Sequence, residues 1–199
     1  MAFRDFSFPE VQQTLGLNLA EAGLYGSVPS VELRAGFAER IAEDTELALA
    51  IDTEKARSEF IIAPVLAELR RMNRGVFSLF SGVEFDVDSS RGLNGFCDFI
   101  LARSPLQLVL TAPVVAIVEA KNDNIKTGLG QCIAAMVAAR EFNAKTSTGI
   151  TVVHGVVTTG SAWKFLRLVG SDLTIDRHEY SIIELARIVG ILTHIIRDV

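Results

Sequence analysis

The sequence predicts an α/β fold with a mixed central sheet, and three observations predict it. The chain is 49% hydrophobic with a mean hydropathy of +0.34, which excludes a disordered chain and calls for a core closed on more than one side. Segments 95–101 and 113–121 are apolar at nearly every position, as strands are when both sheet faces are covered. The segments alternate in the order helix, three strands, helix, strands, which is the pattern of layered α/β proteins. A length of 199 residues suits one domain, expected to have three parts: a helical N-terminal extension at 1–50, a core at 53–168, and an edge strand with a C-terminal helix at 169–199.

Residues 1–50 read as helices broken near 23–29, with Ser30 placed to cap a helix over 31–49 that buries Leu33, Phe37, Ile41 and Ala48. A second helix is expected from Asp52 or Thr53 to about 73–75, kinked or broken at Pro64. Phe77, Leu79, Val83, Phe85 and Val87 then alternate with Ser78, Glu84, Asp86 and Asp88, the signature of a half-buried strand. Residues 89–94 form a turn cluster and lead into the strands at 95–101 and 113–121. A helix at about 127–143 and a buried strand at 150–158 follow. Segments 163–169 and 173–178 read as edge strands. Residues 180–199 form a final helix apolar around so much of its circumference that burial on a second side is expected, most simply in a homodimer.

Charge and cysteine usage narrow the function. Acidic residues number 24 against 19 Lys and Arg, and the net charge is −5. That argues against a grip on nucleic acid by the whole surface and leaves room for a local basic cleft or a protein partner that delivers substrate. Cys97 and Cys132 lie in apolar surroundings and read as two buried thiols of a cytoplasmic protein. No stretch reads as a signal peptide or a membrane span.

Three charged residues fall where a buried strand should have none. Asp98 sits between Cys97 and Phe99, and Glu119 and Lys121 end a strand of Val, Ile and Ala. A buried carboxylate costs several kcal/mol unless it is paired or bound to metal. Glu119 and Lys121 are two apart and leave the same strand face. Adjacent strands would bring Asp98 and Glu119 together, and a divalent cation resolves their repulsion. Oxygen ligands favour Mg²⁺ or Mn²⁺ over Zn²⁺. Chance gives roughly 0.6 acid-x-Lys triplets in such a composition, so the triplet gains its weight from its place at a strand end. A plain sheet-edge ion pair of Lys121 with Glu119 or Asp98 is the competing explanation.

The segments GFCDFI at 95–100 and IVEAK at 117–121 resemble the PD-(D/E)XK nuclease superfamily. Glu59 in SEFIIAPVL resembles the helical Glu that often precedes these strands, with Glu54 as the alternative. Gln131 in GQCIAAM resembles the Gln on the helix that follows the Lys. The segment TTGSAWKFLR at 158–167 resembles the N-terminal nuclease domain of type I restriction subunits. Cys97 stands where the motif name has Pro, and the Tyr that often follows the Gln in exonuclease relatives is absent. The resemblance implies a restriction-endonuclease-like αβββαβ core in a Mg²⁺- or Mn²⁺-dependent nuclease, with DNA as the expected substrate. Asp98, Glu119 and the Ala120 carbonyl would hold the metal, with Glu59 binding directly or through water. Lys121 would orient the attacking water and Gln131 would position Lys121 or the phosphate. The alternative is a catalytically inactive binding or scaffold protein on the same fold.

Other signals read as structural. Asp86–Ser90 lacks the glycine and closing Glu of a calcium loop. His154 is expected as a satisfied core histidine and Trp163 as packing. Arg70, Arg71 and Arg74 suit a solvated helix end, with phosphate contact as the alternative.

Overall fold

The computed structural model describes residues 1–146 and 149–197. Eight strands form one mixed sheet: β1 (Asn18–Ala22), β2 (Ser78–Glu84), β3 (Phe96–Ala102), β4 (Val114–Ala120), β5 (Val152–Thr158), β6 (Ala162–Val169), β7 (Asp172–Asp176) and the short β8 (Tyr180–Ser181). Their order is β1-β7-β6-β5-β4-β3-β2, with β8 paired to β6. The β4/β5 and β1/β7 pairs are parallel and the others antiparallel. The helices are α1 (Glu10–Leu15), α2 (Phe37–Ile51), α3 (Glu54–Arg57), α4 (Ala63–Met72), α5 (Ile125–Lys145) and α6 (Leu185–Arg197). The protein is therefore α/β with a mixed sheet, as the strand pattern predicts.

Two apolar clusters explain the two-sided strands. One joins α5 and the N-terminal Phe3, Phe6 and Val11 to one sheet face. The other joins α2, α4 and α6 to the opposite face. Every residue of β4 is buried, which is why its sequence is a continuous apolar run up to Glu119. The parallel β4/β5 pair requires a crossover, and α5 supplies it. The α5 N-terminus therefore stands at the sheet end where β4 finishes.

The structure departs from the sequence reading at several places. The helix expected over 31–49 starts only at Phe37 with Gly36 as its N-cap, so Ser30 caps no helix and Leu33 lies before it. The N-terminal extension is not all helix: β1 pairs in parallel with β7 and forms the sheet edge. Segments 163–169 and 173–178 are consequently interior strands, since β6 lies between β5 and β7 and β7 is covered by β1. The irregularity expected at Pro64 is a π turn at Ser58–Ile62, which joins α3 to α4 just before Pro64 in the first turn of α4. The final helix starts at Leu185 after β8 and a 3₁₀ turn; its expected last two positions, 198 and 199, lie outside the described residues.

The second side of α6 is covered by the chain itself. Val31 N–H donates to Ala186 O at 3.1 Å, and Arg187 Nη2 donates to Gly26 O at 3.1 Å. The Pro29 carbonyl crosses α6 at Gly190, where an added Cβ would lie 2.3 Å from it. A homodimer is not needed to bury this helix. No helix among the described residues is long and apolar enough to cross a membrane.

Candidate active site

β3 and β4 run antiparallel with Phe99 opposite Val118, so one step further along places Asp98 across from Glu119. Asp98 Oδ2 accepts the Ala120 N–H at 2.7 Å, a charge-assisted bond that ties the carboxylate to the end of β4. Glu119 Oε1 accepts from Lys121 Nζ at 2.7 Å. The Lys121 N–H donates to Thr158 O at 2.8 Å, holding the site to β5. Glu119 is 1% exposed, while Asp98 and Lys121 are partly buried. Gly128 of α5 leaves room for the lysine stem: an added Cβ would lie 3.0 Å from Lys121 Cγ and 2.7 Å from Val157 Cγ1.

The electrostatics are those of two acids sharing one cation. Burial first and the Asp98 charge second push the Glu119 carboxyl well above its usual range, and Lys121 pulls it partly back. Burial also raises Asp98, against the Ala120 N–H and the Lys121 charge. Lys121 is held above its ordinary value because Glu119, Glu54 and Asp98 outweigh its desolvation.

The helical acid facing this cluster is Glu54 rather than Glu59. Glu54 raises both Glu119 and Lys121. Glu59 is 57% exposed and pairs with Lys55 at 3.5 Å, so the position expected for it as a metal ligand is a surface ion pair. Gln131, on α5, is partly buried and makes no side-chain hydrogen bond among the described residues; it lines a cavity of about 320 Å³ with Phe3, Arg4, Gly95 and Phe96, at the end of β3 that carries Asp98. Ala120 stands at the site and supplies its N–H to Asp98.

The structure also places a residue that the sequence reading missed. Arg57, 7% exposed, donates from Nε to Asn122 Oδ1 at 3.1 Å, from Nη1 to Thr159 O at 3.2 Å and from Nη2 to Asp52 Oδ1 at 3.2 Å. This clamp fixes the chain just beyond Lys121 and the turn after β5. Nothing in the local pattern separates Arg57 from the other arginines. A cleft of about 440 Å³ reaches Thr159 and is lined by Lys126 and Lys164 together with Glu21, Asp123 and Glu179 among others.

The remaining candidates are structural. Arg71 pairs with Glu68 at 2.7 Å, and Arg70 stacks over the Phe77 ring. Trp163 is fully buried with Nε1 donating to Gly160 O at 2.8 Å. Cys97 and Cys132 are free, buried thiols whose ionisation is opposed first by burial.

Two hard carboxylates and a strand-end carbonyl form an oxygen donor set suited to a cation that keeps several of its waters, with the Lys121 ammonium beside it as a positive charge and not a ligand. Among the described residues no cluster of three or more His, Cys, Asp and Glu side chains could hold a metal alone. No family model and no curated protein matches the chain.

Proposed function

We propose that the protein is a metal-dependent phosphodiester hydrolase, a nuclease of the PD-(D/E)XK kind, with DNA as the first substrate. The observation that carries this reading is the meeting of Asp98, Glu119 and Lys121 at one sheet end, with Glu119 raised by a second carboxylate. Asp98 and Glu119 would hold Mg²⁺ or Mn²⁺ with the Ala120 carbonyl, and Glu54 takes the helical position expected for Glu59. The bound cation supplies charge neutralisation at the phosphate and a more acidic water. Lys121 carries the compensating positive charge on the same strand face and orients the attacking water. Arg57 keeps the residues after β4 and β5 in place. The adjoining cleft carries Lys126 and Lys164 but also Glu21, Asp123 and Glu179, so it offers no net positive charge to a phosphate backbone. A net charge of −5 favours a local grip, or a partner that delivers the substrate.

One observation favours the catalytically inactive binding or scaffold reading: Lys121 already neutralises Glu119 at 2.7 Å. A cleavage panel of single- and double-stranded DNA and RNA with Mg²⁺ or Mn²⁺ separates the two. The nuclease reading expects metal-dependent cleavage by the wild type and none by Lys121→Ala. Absence of cleavage on every substrate, with metal-independent melting, supports the scaffold.

A further inference from the structure

A second polar cavity, of about 330 Å³, lies away from the carboxylates and is lined by Gly23, Leu24, Tyr25, His154, Arg167 and His194 among others. His154 and Thr158 are four residues apart on β5, so the cavity is about 13 Å along the strand from the end that meets Lys121. It is also on the other sheet face. Gly155 packs against Met136 and Cys132 of α5, and neighbouring strand residues face opposite ways.

The lining is cationic and aromatic. Among the described residues no carboxylate lines it. Asp176, whose charge reaches Tyr25, is fully buried and accepts from Leu24 N–H at 3.3 Å, His178 N–H at 3.1 Å and the Tyr180 hydroxyl at 3.1 Å. Arg167 is exposed and has no ion pair among the described residues. Its charge reaches both Tyr25 and His154.

Tyr25 Oη and His154 Nδ1 are 2.7 Å apart. Burial pushes the phenol up and holds the imidazole down at about 3, with Arg167 and His194 adding to the second effect. Both groups are therefore neutral near pH 7. The 2.7 Å contact ties the imidazole to the phenol in either ring tautomer.

A guanidinium at the mouth with no ion pair among the described residues, an imidazole held by Tyr25 and no carboxylate in the lining suit a small oxyanion. Guanidinium geometry matches phosphate oxygens, and the volume suits a small molecule. We propose that this cavity is a binding site for a phosphate group, free or carried as a small monoester, held by Arg167 with His154 oriented by Tyr25.

The test is melting and calorimetric titration of the full chain with inorganic phosphate, ribose 5-phosphate and acetate at constant ionic strength, with the histidine ring signals followed by NMR. Saturable stabilisation by phosphate or the monoester is expected, with movement of the His154 signals. Preference between those two probes identifies whether the free ion or an ester is the ligand. Arg167→Gln, a surface change that leaves the core intact, should weaken binding at least tenfold. Lys121→Ala should change it less than twofold, which separates this cavity from the candidate active site. The proposal is overturned by no saturable response in the wild type, equal binding of acetate, unaltered affinity in Arg167→Gln, or loss of binding in Lys121→Ala.

Discussion

Replacing Asp98 with asparagine should make the protein more stable at high pH, because the charge it removes opposes Glu119. Directly opposed side chains on antiparallel strands lie about 5 Å apart. Two unit charges at that distance repel by about 3 kcal/mol at an effective dielectric of about 20. The asparagine also weakens the bond from Ala120 N–H, seen at 2.7 Å; exchanging a charged acceptor for a neutral one costs about 1 kcal/mol. The net gain is about 2 kcal/mol, and it exists only while Glu119 is ionised. The Glu119 carboxyl, raised from 4.5 to about 8, takes up a proton more readily folded than unfolded. Wild-type stability therefore falls as the pH rises from about 4.5 through about 8, and the variant should follow a flatter slope. Urea unfolding at pH 5.5 and pH 9 reads both terms. We expect Asp98→Asn to be within about 1 kcal/mol of wild type at pH 5.5 and about 2 kcal/mol more stable at pH 9. A loss of several kcal/mol at both pH values would refute the reasoning and make Asp98 a structural anchor.

Lys121→Ala should show the opposite pH dependence. At pH 5.5 protonated Glu119 needs no partner and the loss is about 1 kcal/mol, whereas at pH 9 a buried carboxylate is stranded and the loss is about 3 kcal/mol by urea unfolding; equal losses would argue against the shifted Glu119. Arg57→Ala removes three side-chain hydrogen bonds and should cost about 3 kcal/mol in the same assay; a cost below about 0.5 kcal/mol would show that the clamp is not formed in solution. Gly130→Ala places a Cβ 2.2 Å from the Phe6 carbonyl oxygen, so it should release the first residues from α5 and open them to limited proteolysis, and an unchanged cleavage pattern would contradict that packing.

Much of the candidate site was legible because charge in a buried strand is conspicuous. Asp98, Glu119 and Lys121 stand out against Val, Ile and Ala, and the strand register brings them together. The helical acid was not legible. Glu54 and Glu59 are five apart, and the π turn at Ser58–Ile62 alters the angular phase that a regular helix would give. β1 escaped because its sequence, NLAEA, is short and mostly exposed, so no alternation marks it. The last helix was apolar on two sides for a non-local reason: the segment around Pro29 lies across Gly190, a contact between distant parts of the chain that helical periodicity cannot reveal.

The account rests on a divalent cation between the two carboxylates, and a crystal soaked with Mn²⁺ at pH 8 tests it most directly. The prediction is an anomalous peak within about 2.2 Å of oxygens from both Asp98 and Glu119, with Lys121 Nζ moved away from Glu119 Oε1. No peak at that strand end, with the 2.7 Å Lys121–Glu119 pair intact at saturating Mn²⁺, would contradict it.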